Sequence, residues 1–517
     1  MMRLNRLLSC LLPALVCALA APGPARADEF VDRVNAMFDD IRPSERSDRI
    51  LLPALAGMEA PPAAIGEPLA ARLLTVDSAD YEAAESWCMA PSQRAVLEAL
   101  ERATVEDVAM AFGQRYGAED FEDVRLGLYT ELGDPPLLSA AEHLYLPAMD
   151  NLAILVNVEA ARLLGAGDPG AAIDLLIDLA LLGRQMSERA FYEEVFWGMR
   201  TIFDALVRIR DIAYQDFNSG APALSGARCA ELVERLDPNR GSMRYERIRL
   251  PVGDFIGAQQ VVAATFTARG GPNSQFGPIL ASISKGDRPL RLFGEAARWN
   301  AAAASHADVF QTREALEDVF ADFEARWQLD YFDPMLALTP DYRKLDPMEH
   351  AVILATIPDM GPLFVERQAL RTELVGTRTA LAVLGYTLDT RSLPITIASA
   401  RPRYIPALEA DPYNELGRSV GRGRELQYFV PSRDLPVDPQ VGPQPYAIDV
   451  VIRDGENFQA PIGLDEFVIY SVGPDNEEGW ARQVSEEMRE QFVGDYLIWP
   501  PILSLHRQHL RDTGQFR

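Results

Sequence analysis

Apolar side chains recur every three or four residues along most of the chain, which is the spacing of amphipathic α-helices. The clearest stretch predicts two helices, 151–164 and 169–182, with Gly165, Gly167 and Asp168 between them. The glycines favour a helix end, and an aspartate followed by a proline favours the start of the next helix. Because the connection is short, we expect the two helices to be antiparallel neighbours.

Further helices follow from the same periodicity, and two breaks interrupt them. A polar Asn-Ser-Gly stretch within 216–226 is a candidate sub-boundary, and the glycines and prolines of 269–292 predict an exposed loop. The additional predicted helices cover 188–214, 297–327, 346–357 and 362–388, and residues 227 to about 268 are predicted to hold another helix and a further apolar stretch.

The periodicity changes after Asp389, where prolines become frequent and short segments alternate between apolar and polar residues. Three such segments, 426–430, 446–452 and 467–472, are predicted strands of a small antiparallel sheet. The expected fold class is therefore mainly α, with a multi-helix N-terminal region followed by a long helix packed on that sheet. The predicted divisions are a signal peptide (1–27), a helical domain (28–360) and an α+β domain (361–517).

The N-terminus has the three parts of a cleavable signal peptide. Arg3 and Arg6 precede an apolar stretch, 7–21, and residues 25–27 supply small side chains at the two positions that a signal peptidase reads. The stretch is shorter than the about 20 apolar residues of a membrane helix. We therefore expect cleavage before Asp28 and a periplasmic or secreted protein without a membrane span.

Acidic residues outnumber basic ones, 76 to 49, which gives a formal net charge of −27. Such a chain repels phosphate backbones and anionic membrane surfaces, so nucleic acid is excluded as a partner, whereas cations and basic partners are favoured. The most apolar run beyond the leader, 152–182, is interrupted by charged residues such as Glu159 and Arg162, which are costly in lipid.

Two cysteines, Cys88 and Cys229, lie beyond the predicted leader. An exported protein can form a disulfide between them. Each has apolar neighbours in the sequence, so a pair of buried free thiols is the alternative. Both interpretations stay open, because a disulfide depends on a Cα–Cα distance that the sequence does not give.

Two motifs match the sequence patterns of reactive sites but lack the neighbouring strands, helices or ligands that those sites require. Residues 417–421 spell a serine hydrolase elbow, but a turn precedes them and a strand follows, whereas the elbow needs a strand and then a helix. His506 and His509 have helical spacing for a metal, but no carboxylate accompanies them at a useful distance in sequence. A glycine-rich turn and a solvated terminal segment are the simpler interpretations.

An aromatic cluster around residue 330 has two interpretations. Trp327, Tyr331 and Phe332 lie beside Asp330 and Asp333, a combination that can line a sugar site. Aromatic side chains at the end of a helix more commonly pack into the core.

A series of short motifs runs in fixed order through the C-terminal region: Leu393-Pro394, then PRYIP at 402–406, DPY at 411–413, LQY at 426–428, YSVGPD at 470–475 and Gly494-Asp495. In this order they resemble the C-terminal half of the major pseudopilins of type II secretion. They resemble more closely a group of large, uncharacterised exported bacterial proteins. The resemblance implies a long helix on an antiparallel sheet and a calcium-binding loop within 475–495.

Calcium ligands implied by the resemblance are Asp475, Glu477, Glu478 and Asp495. Carboxylate oxygens are the hard donors that calcium prefers, six to eight of them at about 2.4 Å. The segment departs from the family pattern, because residues 480–493 separate the two aspartates and two glutamates replace a glycine-rich stretch. A solvated acidic turn is the alternative.

These observations favour a non-catalytic exported protein that interacts with an unidentified protein or envelope component. Two alternatives stay open: a hydrolase that acts on an envelope or extracellular polymer, and a calcium-dependent module that binds a partner. An enzyme should have a concave pocket with converging carboxylates of shifted pKa. A module that binds proteins should instead have an exposed apolar patch or groove.

Overall fold

The computed structural model describes residues 27–106, 108–118, 120–239, 241–283, 291–415, 425–435, 446–453, 456–485 and 494–516. The predicted signal peptide, apart from its last residue, lies outside these ranges, as does the serine motif at 417–421. Helices and small antiparallel sheets form the described structure, so the predicted mainly helical α+β class is confirmed.

Short amphipathic helices form the first hundred described residues and bury one apolar face each. A two-residue antiparallel pairing of β1 (Thr130–Glu131) with β2 (Glu142–His143) follows them. The helices are α1 (Ala27–Asn35), α2 (Asp48–Leu55), α3 (Pro68–Leu73), α4 (Tyr81–Cys88), α5 (Pro91–Ala103) and α6 (Phe121–Leu126).

Three long helices form the centre of the helical region: α7 (Leu146–Gly165), α8 (Pro169–Met186) and α9 (Tyr192–Phe217). As predicted, Asp168 caps α8, and its carboxylate accepts a hydrogen bond from the backbone N–H of Ala171 at 3.0 Å. Helices α8 and α9 cross at Gly183 and Gly198, where a Cβ added to Gly198 would lie 2.4 Å from the Gly183 carbonyl oxygen. Glycine is therefore required for this close helix contact.

Helices of four to 20 residues follow α9, and several of them line the space beside its N-terminal end. Two predictions are wrong here. The loop predicted over 269–292 contains a helix, because Phe276, Leu280 and Ile283 bury an apolar face. The pattern over 297–327 forms two helices, since Asp308 starts a new one by accepting hydrogen bonds from the N–H groups of residues 310 and 311. The helices are α10 (Gly226–Arg235), α11 (Gly253–Thr265), α12 (Phe276–Ile283), α13 (Arg291–Ser305), α14 (Val309–Gln328), α15 (Asp341–Lys344) and α16 (Ala351–Thr356).

The long helix predicted near residue 362 is α17 (Gly361–Thr390), which packs against α9 and α10. It also packs on an antiparallel sheet of order β3–β6–β8, as expected for the C-terminal region. A second sheet has the order β5–β4–β7, in which β4 is antiparallel to β5 and parallel to β7. The strands are β3 (Gln427–Phe429), β4 (Tyr446–Arg453), β5 (Glu456–Ile462), β6 (Val468–Ser471), β7 (Gln483–Ser485) and β8 (Tyr496–Trp499), and the last helices are α18 (Pro431–Asp434) and α19 (Ile502–Asp512).

One buried apolar cluster includes side chains from Leu51 to Leu503 and therefore lies on both sides of the predicted division at 361. Buried ion pairs also cross this division. Arg210 on α9 pairs with Glu373 on α17 at 2.5 Å, and Asp211 accepts hydrogen bonds from Arg507 on α19 at 2.9 and 3.0 Å. The division stays a prediction. Among the described helices, none is long and apolar enough to cross a membrane.

Candidate binding cavity

A cavity of about 480 Å³ lies where the N-terminal end of α9 meets α11, α13 and α16. Its wall is assembled from separate segments between residues 138 and 358, and it mixes aromatic, carboxylate and apolar side chains. Those with a polar group are Ser139, His143, Tyr192, Glu193, Asp254, Glu295, Arg298, Trp299, Tyr342 and Thr356.

Asp254 is the aspartate of this wall, and its pKa is strongly shifted. It lies in the first turn of α11, and its Oδ2 accepts a hydrogen bond of 2.8 Å from the backbone N–H of Tyr192, the first residue of α9. Burial raises the pKa of Asp254 to about 7, with a further rise from Glu193 and Glu194, although the hydrogen bond from Tyr192 opposes it. Near neutral pH this carboxyl group is therefore available both as an acid and as a carboxylate.

Tyr192 contributes a phenol to the same wall. Burial raises the pKa of the Tyr192 phenol to about 12, and the charges of Asp359, Asp254 and Glu366 add to the rise. The phenol therefore stays protonated at neutral pH and can donate a hydrogen bond.

A buried polar network supports the cavity wall from behind. Glu194 on α9 is fully buried and accepts hydrogen bonds from Arg189 Nε at 2.7 Å, from the Tyr116 hydroxyl at 2.6 Å and from the Tyr145 hydroxyl. Burial disfavours the charge of Glu194, but Arg189, His143 and the two tyrosine hydrogen bonds together outweigh burial, so the pKa of Glu194 is lowered. Because Glu194 and both tyrosine hydroxyls are bonded within the network, they fix the position of α9.

His143 connects this network to the cavity. Its Nδ1 lies 3.1 Å from the Thr130 hydroxyl and 4.0 Å from Glu194 Oε1. The imidazole ring packs against Phe191, with ring centres 5.4 Å apart. The ring is therefore held in one orientation, and His143 contributes a fixed, buried side of the cavity.

Three side chains of the wall have a buried polar atom without a hydrogen-bond partner among the described residues: Trp299 Nε1, Glu295 Oε2 and Ser139 Oγ. The Trp299 side chain is only 3% exposed, so its N–H is shielded from solvent. Buried polar groups in folded proteins are nearly always bonded, and one left unpaired costs about 1–3 kcal/mol. One donor and two potential acceptors of this wall are therefore unsatisfied by the protein itself.

The formal charge of the cavity wall is negative whether or not Asp254 is ionised. Glu193, Asp254 and Glu295 contribute carboxylates, and Arg298 is the arginine of the wall. Arg298 lies 3.7 Å from Glu295 and 4.6 Å from the ring centre of Trp299. The cavity is therefore suited to neutral or cationic molecules and not to anions.

The residues predicted to bind calcium do not form a ligand shell. The Asp495 carboxylate accepts hydrogen bonds from the backbone N–H groups of Gly479 and Ala481 at 3.2 and 2.5 Å, and Asp475 accepts one from Glu477 at 3.1 Å. Burial raises the pKa of Asp495 to about 6, which disfavours the ionised form that calcium needs. Glu478 lies 3.5 Å from the Tyr470 hydroxyl.

Across the described ranges, no group of three or more His, Cys, Asp or Glu side chains is arranged to hold a metal ion. Residues 486–493, between the two aspartates, lie outside those ranges. The calcium prediction therefore gains no support from the geometry that is described.

Cys88 on α4 and Cys229 on α10 are both free and buried. The Cys88 thiol donates a hydrogen bond to Glu159 at 3.3 Å. Burial is the main reason that the pKa of each thiol is raised to about 12. Neither thiol is therefore activated for nucleophilic chemistry.

The aromatic cluster noted in the sequence lies outside this cavity. Trp327, Tyr331 and Phe332 line a different groove, together with Asp330 and Asp333. The two C-terminal histidines are also elsewhere: His506 and His509 on α19 both stack on Phe458, with ring centres 5.8 and 4.5 Å away.

Sequence reasoning did not find the cavity residues. Asp254 is followed by an apolar helix, so it looks like an ordinary acidic residue in a first helical turn. Trp299 and Glu295 belong to a helix that the periodicity predicts only in part. One pattern could have indicated the cavity: at Phe191-Tyr192-Glu193-Glu194, two acids follow two aromatic residues at the start of a helix. The same pattern also fits an ordinary helix cap.

Comparison of the chain with protein-family models, with curated proteins and with solved structures found no match. The resemblance to pseudopilins therefore stays a prediction. Functional conclusions depend on the chemistry of the cavity itself.

Proposed function

We propose that the protein is a non-catalytic exported binding protein, and that the cavity at the N-terminal end of α9 holds a neutral, hydroxylated ligand such as a sugar unit. The observation that carries this proposal is the set of unpaired polar atoms: Trp299 Nε1, Glu295 Oε2 and Ser139 Oγ. A ligand that satisfies them gains binding energy without displacing any hydrogen bond made by the protein.

Hydroxyl groups match this set because each one both donates and accepts a hydrogen bond. One hydroxyl can accept from the Trp299 indole and donate to Glu295. Asp254 and the Tyr192 phenol provide a further acceptor and donor on the same wall. An anionic ligand is disfavoured by the three carboxylates, and a purely apolar ligand would leave the polar atoms unpaired.

A ligand longer than one unit is supported by a neighbouring groove. Tyr192 and Glu193 line the cavity and also a groove of about 650 Å³ along α3, α7 and α9. That groove contains further aromatic side chains, Phe196 and Trp197, and an acid, Asp150, that accepts a hydrogen bond of 2.8 Å from the Trp197 indole. Two adjoining spaces of this kind suit consecutive units of a polymer.

The predicted leader and the pseudopilin-like C-terminal region support a role for the protein in the cell envelope. An exported protein meets the polysaccharides and other polymers of the envelope, and a C-terminal α+β region docked on α9 by buried ion pairs holds the two parts of the chain together. We propose that this region serves the envelope-structural or interaction role implied by the resemblance.

The proposal is tested by isothermal titration calorimetry of neutral trisaccharides (N,N′,N″-triacetylchitotriose, cellotriose, maltotriose), with trigalacturonate as the anionic comparison. At least one neutral trisaccharide should bind, and trigalacturonate should not. Trp299→Phe keeps the ring but removes the indole N–H, so it should weaken binding about 10-fold, as expected for one lost buried hydrogen bond.

Trp480→Phe is the matched control, because Trp480 is 40% exposed and does not line the cavity. It should leave binding unchanged. Absence of binding by all neutral trisaccharides, or equal binding by Trp299→Phe and the parent protein, would contradict the proposal.

A hydrolase is the second candidate, and the observation that favours it is Asp254. An acid whose pKa lies near 7 in a concave site is suited to general acid catalysis. If this candidate holds, a trisaccharide that binds is cleaved, and Asp254→Asn keeps binding but abolishes cleavage. Product analysis by mass spectrometry after incubation with the parent protein separates the two functions, because a binding protein returns the trisaccharide intact.

A further inference from the structure

A second cavity, of about 610 Å³, lies between the C-terminal end of α14, the loop that follows it and the first turns of α17. Its aromatic side includes Trp327, Tyr331, Phe332 and Phe364. Tyr331 and Phe332 meet edge to face with ring centres 5.0 Å apart, and Trp327 lies 5.7 Å from Phe364. Tyr331, Phe332 and Phe364 are only partly buried, so their rings are accessible from the groove.

Two arginines lie one helical turn apart on α17 and line the same groove, Arg367 and Arg371. The Arg367 guanidinium is fixed in place: its Nη1 donates to the Trp327 carbonyl oxygen at 2.6 Å, and its central carbon lies 4.2 Å from the Trp327 ring centre. Arg367 Nε is buried and has no hydrogen-bond partner among the described residues. Within the same ranges, no carboxylate forms an ion pair with Arg367.

The other arginines of this groove are already neutralised. Arg326 pairs with Asp322 at 2.8 Å, and Arg343 pairs with Asp359 at 3.1 Å. Arg371 is half exposed and forms a long ion pair with Asp330, at 3.8 Å, in which both side chains are more than half open to solvent. Asp330, Asp333 and Asp359 also line the groove, against four arginines.

Like charges one turn apart on a helix repel each other. Burial lowers the pKa of Arg367 and the adjacent Arg371 lowers it further, although Tyr245 and Asp330 act in the opposite direction. Positive charge that the protein itself does not fully neutralise is therefore concentrated at this pair, in a chain whose net charge is −27.

We propose that this groove is a second binding site, which takes a small carboxylate that carries an apolar ring. A guanidinium group presents parallel N–H donors that match the two oxygens of a carboxylate. With the carboxylate at Arg367 and Arg371, the ring of the ligand lies against Tyr331, Phe332 and Phe364, where it gains from aromatic packing. A volume of about 610 Å³ accommodates a molecule of one to three rings.

The test is calorimetric titration of the full chain with 2-naphthoate and with 2-naphthamide, its neutral isostere. The acid should bind at least about 10-fold more tightly than the amide, because a charge-assisted hydrogen bond is lost with the amide. Arg371→Gln and Arg367→Gln should each weaken binding of 2-naphthoate about 10-fold and leave the affinity for the amide unchanged. Arg313→Gln, which removes an exposed arginine of α14 outside the groove, is the matched control and should have no effect.

Arg371→Gln is the decisive variant, because Arg371 is 51% exposed and makes no hydrogen bond among the described residues, whereas Arg367→Gln also removes the bond to Trp327. Circular dichroism establishes that each variant is folded. Equal affinity for acid and amide, no binding of either, or full affinity in Arg371→Gln would overturn the proposal. Trp299→Phe, which alters the first cavity, should leave 2-naphthoate binding unchanged, so failure of one site is distinguishable from failure of the other.

Discussion

The protonation state of Asp254 provides a direct test of the cavity, and Asp254→Asn is the substitution that tests it. Asparagine has the shape of a protonated aspartate, and its side-chain oxygen can still accept the hydrogen bond from the N–H of Tyr192. The substitution therefore removes the ability to ionise and preserves the contact that positions the start of α9.

The magnitude follows from the pKa of Asp254, which rises from its ordinary value of 3.8 to about 7 in the folded protein. A raised carboxyl pKa means that the folded state holds its proton more tightly than the unfolded chain. The stability contribution of this group is complete below about pH 4 and is lost as the pH rises to about 7. At 1.36 kcal/mol per pKa unit, the loss amounts to about 2 kcal/mol at pH 5.5 and to about 4 kcal/mol at pH 8.5.

Asp254→Asn does not have this loss. The difference in free energy of unfolding, Asp254→Asn minus the parent protein, should therefore be about 2 kcal/mol larger at pH 8.5 than at pH 5.5. Urea unfolding followed by circular dichroism measures both values, and pH 5.5 stays above the isoelectric point of this acidic chain. Asp178, whose pKa is also raised to about 7 by burial, is present in both proteins and cancels in the difference.

Asp318→Asn, on the exposed face of α14, is the control and should shift the stability equally at both pH values. The reasoning is refuted if the stability difference between Asp254→Asn and the parent protein is the same at pH 5.5 and pH 8.5. It is also refuted if Asp254→Asn is the less stable protein at pH 8.5.

Two further predictions concern the core. Gly198→Ala should destabilise the protein by about 1–3 kcal/mol, because the new Cβ would lie 2.4 Å from the Gly183 carbonyl oxygen and force α8 and α9 apart. Gly294→Ala, in α13, is the comparison: nothing lies within 4 Å of the new Cβ, so it should stabilise the protein by about 0.5–1 kcal/mol. Thermal melts of both variants measure the two effects. Cys88 and Cys229 should react with iodoacetamide only after unfolding, without any reductant, because both are buried thiols with a pKa of about 12; alkylation that requires a reductant, detected by peptide mass spectrometry, would show a disulfide instead.

The sequence is most informative where local signals are strong. Asp168 and Pro169 mark the start of α8, and the long apolar period marks α17 nearly to its ends. Alternation predicts three strands, β3, β4 and β6, but not β5, β7 and β8. Strand β8 is buried on both faces, so its apolar run does not alternate, and β7 is only three residues long.

The helix α12 shows why composition is misleading over 269–292. Glycines and prolines flank Phe276, Leu280 and Ile283, and local propensity there favours a loop. Burial of these three side chains against neighbouring helices outweighs that propensity.

What the sequence determined by itself was the class of the protein: helical periods, helix caps, acidic charge and the aromatic cluster at 327–332 are all local properties. What only the tertiary structure decided was the cavity. Asp254, Trp299 and His143 are brought together by packing between elements distant in the chain. Burial produces both the shifted pKa of Asp254 and the unpaired indole N–H of Trp299. The burial of a group depends on every element that surrounds it, so no short stretch of sequence predicts it.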